Sequence, residues 1–250
     1  ELTLSGQDLE LSPQGELNAD ILVKSSGALS GSGTITGKVT NRGVFSPGNS
    51  PGISNVDSFT QAADGTLEME IAGTVPGENG YDQINVTNEA SLDGTLDLSL
   101  LDDFQPQAGD SFEIMTYDSR TGEFSDYSGL YIGENLYFKP VYDADSLTLE
   151  VNELPGGLVP DIANQADLND LMAFFIDENA SSLSVSGDLE VAGMDLNGAF
   201  TFAHTDSGVG IGFSDINLSM NIAASAALSL ESCSGALLLS GGAAALEMQG

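Results

Sequence analysis

The chain has 250 residues, enough for one large or two small domains with a sizeable core. It contains 38 acidic and five basic residues, and its formal net charge is −33 at pH 7. Nucleic acids and anionic lipid head groups are bound through Lys and Arg that neutralise phosphates, so the composition excludes nucleic acid as a partner. No apolar run is long enough for a membrane-spanning helix, and the sequence predicts no membrane insertion.

The acidity has three explanations that the sequence leaves open. Carboxylates keep a surface hydrated and soluble in a saline exterior, where salt screens their mutual repulsion. They can also gather divalent cations such as calcium. The third explanation is that they line solvated strand faces and turns.

Short alternating strands fill the first part of the chain, residues 1–153. Apolar and polar residues alternate with the period of a strand that has one face inside and one in water. Gly, Asn, Asp or Ser ends each run, as expected at turns. The clearest runs are Leu2–Leu4, Leu9–Leu11, Ile21–Val23, Leu67–Ile71, Leu96–Leu100 and Leu147–Val151.

Between Gly27 and Gly52, apolar residues recur at Leu29, Ile35, Val39 and Val44 with glycine between them. Such short strands are poor hairpins but suit the rungs of a β-solenoid, with Gly or Asn at the corners. The predicted fold class is therefore all-β, with right-handed parallel β-solenoid segments and one short amphipathic helix.

Aromatic residues cluster between Phe104 and Tyr142. Such a cluster can fill the core of a Gly-rich β-protein, or it can form a platform on which carbohydrate stacks. The members are Phe104, Phe124, Tyr127, Tyr131, Tyr137, Phe138 and Tyr142.

Residues 154–180 are predicted to be a Pro/Gly linker followed by the helix. Pro155–Pro160 interrupts both strand and helix patterns. Across Asn164–Asn179, an apolar stripe follows the helical spacing. The stripe predicts either a cap over the open end of a β-core or a helix that docks a partner.

The strand pattern returns in residues 181–250, which are predicted to be a second β-solenoid repeat module of short strands. The pattern reaches Gly250 without a polar closing strand. Solenoids need capping ends for solubility, so we expect further rungs or a second copy to stack there.

Two stretches resemble modules of known bacterial proteins. Ser46-Pro-Gly-Asn-Ser-Pro-Gly52, with Tyr81-Asp-Gln-Ile-Asn-Val86 and the strands around them, is similar to a module of autotransporter-like and large haemagglutinin-like surface proteins, over residues 27–151. Gly198-Ala-Phe-Thr-Phe202, Gly208–Met220 and Ser234–Leu239 resemble a repeat of very large secreted bacterial proteins. The resemblance implies a parallel β-helix on a cell surface or in secreted material, used for adhesion or as a stalk.

The sequence offers no set of catalytic residues, and the chain is predicted not to be an enzyme. His204 is predicted to be a turn residue hydrogen-bonded to Asp206, because one histidine without a second His or Cys nearby cannot build a zinc site. Cys233 has small, apolar neighbours and no base nearby, so we expect a buried structural thiol. Asp102–Asp103 would suit glycoside hydrolysis, but adjacent acids arise by chance in so acidic a chain.

Calcium is the candidate cofactor that the sequence suggests. Strand-end carboxylates and carbonyls could supply the six to eight oxygens that calcium takes. Candidate ligands are Asp82, Asp93, Asp143 and Asp145, although no EF-hand loop or Gly-Gly-x-Gly-x-Asp repeat is present. The sequons at Asn85, Asn179 and Asn217 are expected by chance at this Ser/Thr content.

The leading hypothesis is a structural or adhesive segment of a large secreted or cell-surface bacterial protein. It would be a β-solenoid stalk or a subunit of an extracellular fibre, whose partners are further copies, neighbouring rungs of the parent protein or cell-surface glycans. The alternative is a carbohydrate- or calcium-binding module that uses the aromatic region.

Overall fold

The structure, a computed structural model, describes residues 1–48, 50–223, 226–240 and 243–249. These residues lie mostly in β-strands, which form three sheets, and they include one α-helix, α1 (Gln165–Ile176). The prediction of an all-β fold with one helix is confirmed. No helix of this described part is long and apolar enough to cross a bilayer.

The chain divides into two compact units. The first comprises Glu1–Leu130 and Phe138–Val151, and the second comprises Tyr131–Tyr137 and Asn152–Gly250. Asn49 of the Ser-Pro-Gly-Asn-Ser-Pro-Gly run and the terminal Gly250 lie outside the described residues.

The first sheet is mixed and has 12 strands. They are β1 (Leu2–Leu4), β3 (Glu16–Leu17), β4 (Ile21–Val23), β6 (Thr34–Asn41), β8 (Ile53–Gln61), β10 (Gln83–Val86), β11 (Glu89–Leu92), β13 (Ser111–Thr116), β14 (Ser119–Gly122), β16 (Tyr131–Gly133), β17 (Leu136–Tyr142) and β18 (Ser146–Glu153). The strands pair in parallel in the order β1-β4-β6-β8-β10-β13, β18 then joins β13 in antiparallel orientation, and β17 and β16 follow. Shorter strands pair beside this path, also in parallel: β3 with β6, and β11 with β8 and β14.

The second sheet has six strands: β2 (Asp8–Leu11), β5 (Ala28–Gly31), β7 (Val44–Pro47), β9 (Thr66–Ile71), β12 (Thr95–Leu100) and β15 (Asp126–Ser128). It is parallel throughout, in the order β2-β5-β7-β9-β12-β15. Its strands alternate along the chain with those of the first sheet. Between two paired strands of the second sheet, the chain therefore passes through the first sheet.

In this unit, the parallel register places apolar side chains of neighbouring strands above one another. Leu29 pairs with Phe45, Phe45 with Leu67, and Leu67 with Leu96. All four side chains are at most 1% exposed and form one inward apolar column. Burial of these columns is the main source of stability, at about 25 cal/mol per Å² of apolar surface.

Glycines form a second column at the corner between the sheets. The amide of Val44 donates to the carbonyl of Gly27 (3.2 Å), and the amide of Thr66 donates to that of Gly43 (2.8 Å). A Cβ atom on Gly43 would lie 2.3 Å from the carbonyl oxygen of Gly27. A side chain therefore has no room where the corners stack.

The third sheet, in the second unit, is an antiparallel meander. Two-residue turns at Ala192–Gly193 and Asp206–Ser207 join its neighbouring strands, and such turns link only antiparallel strands. Ala192 (φ 52°) and Gly193 (φ 79°) take the left-handed conformation that a type I′ turn needs. Its strands are β19 (Val159–Asp161), β20 (Leu183–Val191), β21 (Met194–Thr205), β22 (Gly208–Ala223), β23 (Ala226–Ser240) and β24 (Ala243–Gln249).

The prediction of parallel solenoid rungs in residues 181–250 is wrong. Strands β20 to β24 are 7 to 16 residues long, and each pairs with its neighbour in antiparallel orientation. The stretch Gly208–Met220, where separate short strands are predicted, lies within the single strand β22, which continues through Asp215 although its register with β23 shifts between Phe213 and Ile216. In the sequence, Ser214 and Asp215 at this irregularity are typical of a turn and therefore predict the end of a strand.

Helix α1 covers the apolar face of this sheet. Asn164 caps its first turn, where Oδ1 accepts a hydrogen bond from the amide of Ala166 (3.0 Å). Phe174 and Phe175 are buried and meet the ring of Phe202 at 6.1 Å between centroids. The helix was predicted correctly, but it packs on a sheet face rather than over the end of a β-core.

Candidate functional site

A buried carboxylate, Asp82, holds the Ser-Pro-Gly loop in place. Asp82 lies just before β10 and is 1% exposed. Its Oδ1 accepts a hydrogen bond from the amide of Gly52 (2.7 Å), and its Oδ2 accepts one from the amide of Glu70 (2.9 Å). One side chain thus fastens the loop between β7 and β8 to strand β9.

The loop needs glycine where it passes this carboxylate. Gly48 has a φ of +90°, and a Cβ atom there would lie 2.4 Å from Oδ1 of Asp82 and 2.2 Å from the amide nitrogen of Gly52. The two halves of the motif, Ser46–Gly52 and Tyr81–Val86, therefore meet at Gly52, whose amide donates to Asp82 and whose carbonyl accepts from the amide of Gln83 (3.0 Å). Their meeting is structural, since it closes the turn and leaves both carboxylate oxygens occupied.

The pKa of Asp82 is raised to about 7, mainly by burial, and the nearby charge of Glu70 acts in the same direction. The amides of Glu70 and Gly52 oppose this effect because they donate to the carboxylate. No cation faces the group among its described partners, so the negative charge is stabilised by backbone dipoles alone. Proton loss from Asp82 is therefore expected near neutral pH.

Polar side chains also form ladders between the stacked strands. Asn41 donates from Nδ2 to Oε1 of Gln61 (2.9 Å), and both side chains are at most 1% exposed. On the next part of the sheet, Asn85 donates to Asn55 (3.0 Å) and accepts from Thr116 (3.1 Å). The Asn41 contacts favour the observed register of the strands, because a slipped strand would leave the buried side-chain amide of Asn41 without its partners, Gln61 and the carbonyl of Thr66.

A groove of about 590 Å³ lies along the second sheet, beside the Ser-Pro-Gly loop. Glu68 and Asp97 are adjacent in register there, and Ser46 donates to Glu68 (2.5 Å). Apart from Pro47 and Gly48 of the loop, the other residues that line it are acidic or hydroxylated: Glu10, Ser30, Ser50, Glu70 and Ser99. Within the described ranges, no three His, Cys, Asp or Glu side chains form a group that could hold a metal ion.

The four calcium candidates have different surroundings. Asp82 is buried and bonded to backbone amides, whereas Asp93, Asp143 and Asp145 are exposed. Asp93 accepts a hydrogen bond from the amide of Gly94 (2.8 Å). No three of the four come together as a metal-binding group among the described residues, and calcium stays a prediction. Asp102 and Asp103 are exposed turn residues in the left-handed conformation (φ 53° and 55°).

The aromatic region is mostly core. Phe112 lies edge-on to Tyr81 (5.4 Å), Phe104 (6.2 Å) and Phe138 (5.8 Å). Phe124, Tyr137 and Phe138 are buried, so their ring faces are not exposed for a sugar to stack on.

A second group of rings is half-buried. The hydroxyl groups of Tyr127 and Tyr142 are 2.9 Å apart, and Arg120 lies 4.7 Å from the ring of Tyr142. Desolvation by burial raises the pKa of both tyrosines. These contacts pack the rings against one another, which favours the core interpretation, and Tyr131 lies apart from them, opposite Tyr137 in the β16–β17 hairpin.

The prediction that His204 is a turn residue is wrong, because His204 lies in strand β21. Its Nε2 donates to the carbonyl of Phe174 (3.0 Å), and its ring stacks on that of Phe174 at 4.2 Å. The predicted bond to Asp206 is replaced by this contact with α1, because the strand continues to Thr205 and turns the ring toward the helix. Cys233 is a buried free thiol, in agreement with its predicted structural character.

Comparisons with known proteins do not name a function. No protein-family model matches the chain. No curated protein matches it either. The resemblance to autotransporter-like surface proteins therefore remains a prediction from the motifs.

Proposed function

We propose that this chain is a structural segment of a large secreted or cell-surface bacterial protein. In this proposal, residues 1–153 form a right-handed parallel β-solenoid that serves as an adhesin stalk or as a subunit of an extracellular fibre. The observation that carries the proposal is the rung-like pairing of the second sheet: Ala28 pairs with Val44, Val44 with Thr66, and Thr66 with Thr95, always in parallel. Between successive members the chain passes through the first sheet, which is the path of a coil.

The mechanism of such a segment is mechanical. In stacked rungs the backbone N–H and C=O groups bond to the next rung, so hydrogen bonds run along the stacking direction. The corner bonds from Val44 to Gly27 and from Thr66 to Gly43 continue this ladder through the turn. The Asn41–Gln61 bond adds a polar column inside, which resists slippage between rungs.

The outward charge supports a role outside the cell. Glu68 and Asp97 stand on the outer face of the second sheet, opposite the apolar column. Acidic outer faces repel one another, which discourages lateral aggregation of exposed β-structure. The same charge would be screened in a saline medium.

Stacking partners are proposed for the first rung. Among the described residues, β1 and β2 each have a strand neighbour on one side only. Leu9 pairs with the fully buried Leu29 and faces the same column, yet it is only half-buried. A further rung, from a second copy or from the parent protein, would cover it.

Electron microscopy tests this function. We expect the purified chain to form rods or filaments at high protein concentration, either with calcium or with chelator. Leu9→Lys should prevent their formation because it places a charge in the stacking column, whereas Glu10→Lys, on the outward face of the same strand, should leave them intact. Separate compact particles of the unmodified chain under both conditions would contradict the proposal and favour a ligand-binding module.

A further inference from the structure

Three Asn-x-Ser/Thr sequons occur in the chain, and the structure places them in different backbone environments. Transfer of a glycan to asparagine requires the sequon to leave the fold and enter the transferase, so acceptors lie on surface loops. A sequon whose backbone is paired in a sheet must first be unfolded locally. The environment of each asparagine therefore decides whether the folded chain can react.

Asn85 is inaccessible in this sense. It lies in β10, between β8 and β13, and pairs with Asn55 and Thr116. Its side-chain amide donates to Asn55 and its carbonyl accepts from Thr116. Both the backbone and the reacting amide are in use.

Asn217 is exposed but held in the middle of the antiparallel meander. It lies in β22, between β21 and β23, and its backbone pairs with Asn197. The side chain lines the outer face of the sheet. The transferase would have to remove β22 from the sheet to bind this sequon.

Asn179 lies between secondary-structure elements. Helix α1 ends at Ile176 and β20 begins at Leu183, and the intervening residues are exposed except for the half-buried Ala180. The backbone amide of Asn179 donates to Oδ1 of Asp177 (2.9 Å). This bond closes a local turn between α1 and β20, and the turn is not part of a sheet. Among the described residues, no hydrogen bond engages its side-chain amide.

We propose that Asn179 is the residue at which this chain accepts an N-linked glycan. The donor is a lipid-pyrophosphate-linked oligosaccharide. The side-chain nitrogen of Asn179 forms a bond to the anomeric carbon of the first sugar, the lipid pyrophosphate leaves with the electron pair of the C–O bond, and the amide loses one proton. The inference rests on the extracellular location in the proposed function, since these donors are used during or after export.

The test is transfer in vitro, which does not depend on secretion or on assembly into fibres. The folded 250-residue chain, produced in a host without N-glycosylation, is incubated with a purified oligosaccharyltransferase and its lipid-linked oligosaccharide. Peptides with the sequences around Asn85, Asn179 and Asn217 are run in parallel as unfolded references. Peptide mass spectrometry then gives the rate at each asparagine, in the chain and in the peptide.

We expect the rate at Asn179 in the folded chain to equal that of its peptide within a few-fold. At Asn85 and Asn217 the folded chain should react at least about 100-fold more slowly than the peptides, because reaction needs the rarely populated open state. Ser181→Ala should abolish transfer, and Ser182→Ala, just outside the sequon, should leave it unchanged.

Three results would overturn the assignment: no transfer to Asn179 of the folded chain, no transfer to its peptide, or comparable transfer to Asn85 or Asn217 of the folded chain. Glycan transfer to Asn179 by a chain that forms no filaments would reject the proposed function only. Filament formation by a chain that accepts no glycan at Asn179 would reject the glycan site only.

Discussion

The first unit consists mostly of parallel strands of two to nine residues, whereas the sheet of the second unit consists of antiparallel strands of up to 16 residues. The turns account for the difference. In the first unit Gly27 and Gly43 stand at corners that send the chain into the other sheet, so partners lie far apart in sequence. In the second unit Ala192–Gly193 returns the chain to the strand it has just left. The same alternating pattern thus serves two architectures, and the turn chemistry selects between them.

The largest expected effect is at the stacked corner. Gly43→Ala places a Cβ atom 2.3 Å from two carbonyl oxygens, those of Gly27 and Lys24. The corner must shift along with its neighbours, and we expect a loss of about 3 kcal/mol or more in the free energy of unfolding. Urea denaturation followed by circular dichroism measures it.

Gly212→Ala in the antiparallel sheet is the matched control. Its nearest neighbour to a new Cβ atom is the carbonyl oxygen of Thr201 at 3.8 Å. Because alanine also reduces the entropy of the unfolded chain, we expect a change within about 1 kcal/mol. Equal losses for both variants would remove the distinction between corner and strand glycines.

The second expected effect is on the pH dependence of stability in the first unit. The pKa of Asp82 rises from 3.8 to about 7 on folding, so the folded state binds the proton more tightly. The contribution of this group to stability is therefore fully present below pH 3.8 and is lost as the pH rises toward 7. The slope is at most about 1.4 kcal/mol per pH unit.

Asp82→Asn should remove this slope, as measured by urea denaturation at several pH values between 4 and 8. Asp118→Asn, at an exposed position, is the control and should leave the slope unchanged. A variant with Asn at position 82 that keeps the slope of the original chain would show that Asp82 is not the buried acid responsible.

A smaller effect is expected where α1 meets the antiparallel sheet. His204→Ala removes the stack on Phe174 and the bond to its carbonyl, and we expect a loss of about 1 to 2 kcal/mol. His204→Phe keeps the stack and should lose less. Hydrogen exchange of the α1 amides measures both, and equal exchange in the original chain and in His204→Ala would contradict the contact.

The smallest effect concerns like charges that parallel register brings together. Asp97→Asn removes a carboxylate directly beside Glu68, and we expect a gain of about 0.5 kcal/mol at low salt. The gain should vanish at about 0.5 M salt, where screening is strong. Asp126→Asn, opposite the uncharged Thr95, is the control. An equal gain in stability in both variants would show that the effect comes from the lower net charge and not from the contact between Asp97 and Glu68.

The sequence reveals strands more readily than their partners. For Leu67, Met69 and Ile71, alternation alone predicts that the side chains face the core, and all three are buried. Alternation carries no information on strand direction, so the pattern of residues 181–250 does not predict the turn at Ala192–Gly193 that makes the neighbouring strands antiparallel. Asp82 could not be recognised as a buried anchor, since its partners Gly52 and Glu70 lie 30 and 12 residues away and only folding brings them together.

The most direct test of the proposed stacked rungs is a pair of cysteines on two neighbouring strands. Thr40 and Thr60 are partners in parallel register and both face outward. Neighbouring strands are about 4.8 Å apart, which suits a disulfide, whereas the diagonal pair Thr40 and Ser58 is about 8 Å apart. In a background where Cys233→Ala removes the free thiol, Thr40→Cys with Thr60→Cys should oxidise rapidly, and Thr40→Cys with Ser58→Cys should not. Oxidation of neither pair, or faster oxidation of the diagonal pair, would contradict parallel rungs in the first unit and the structural role proposed from them.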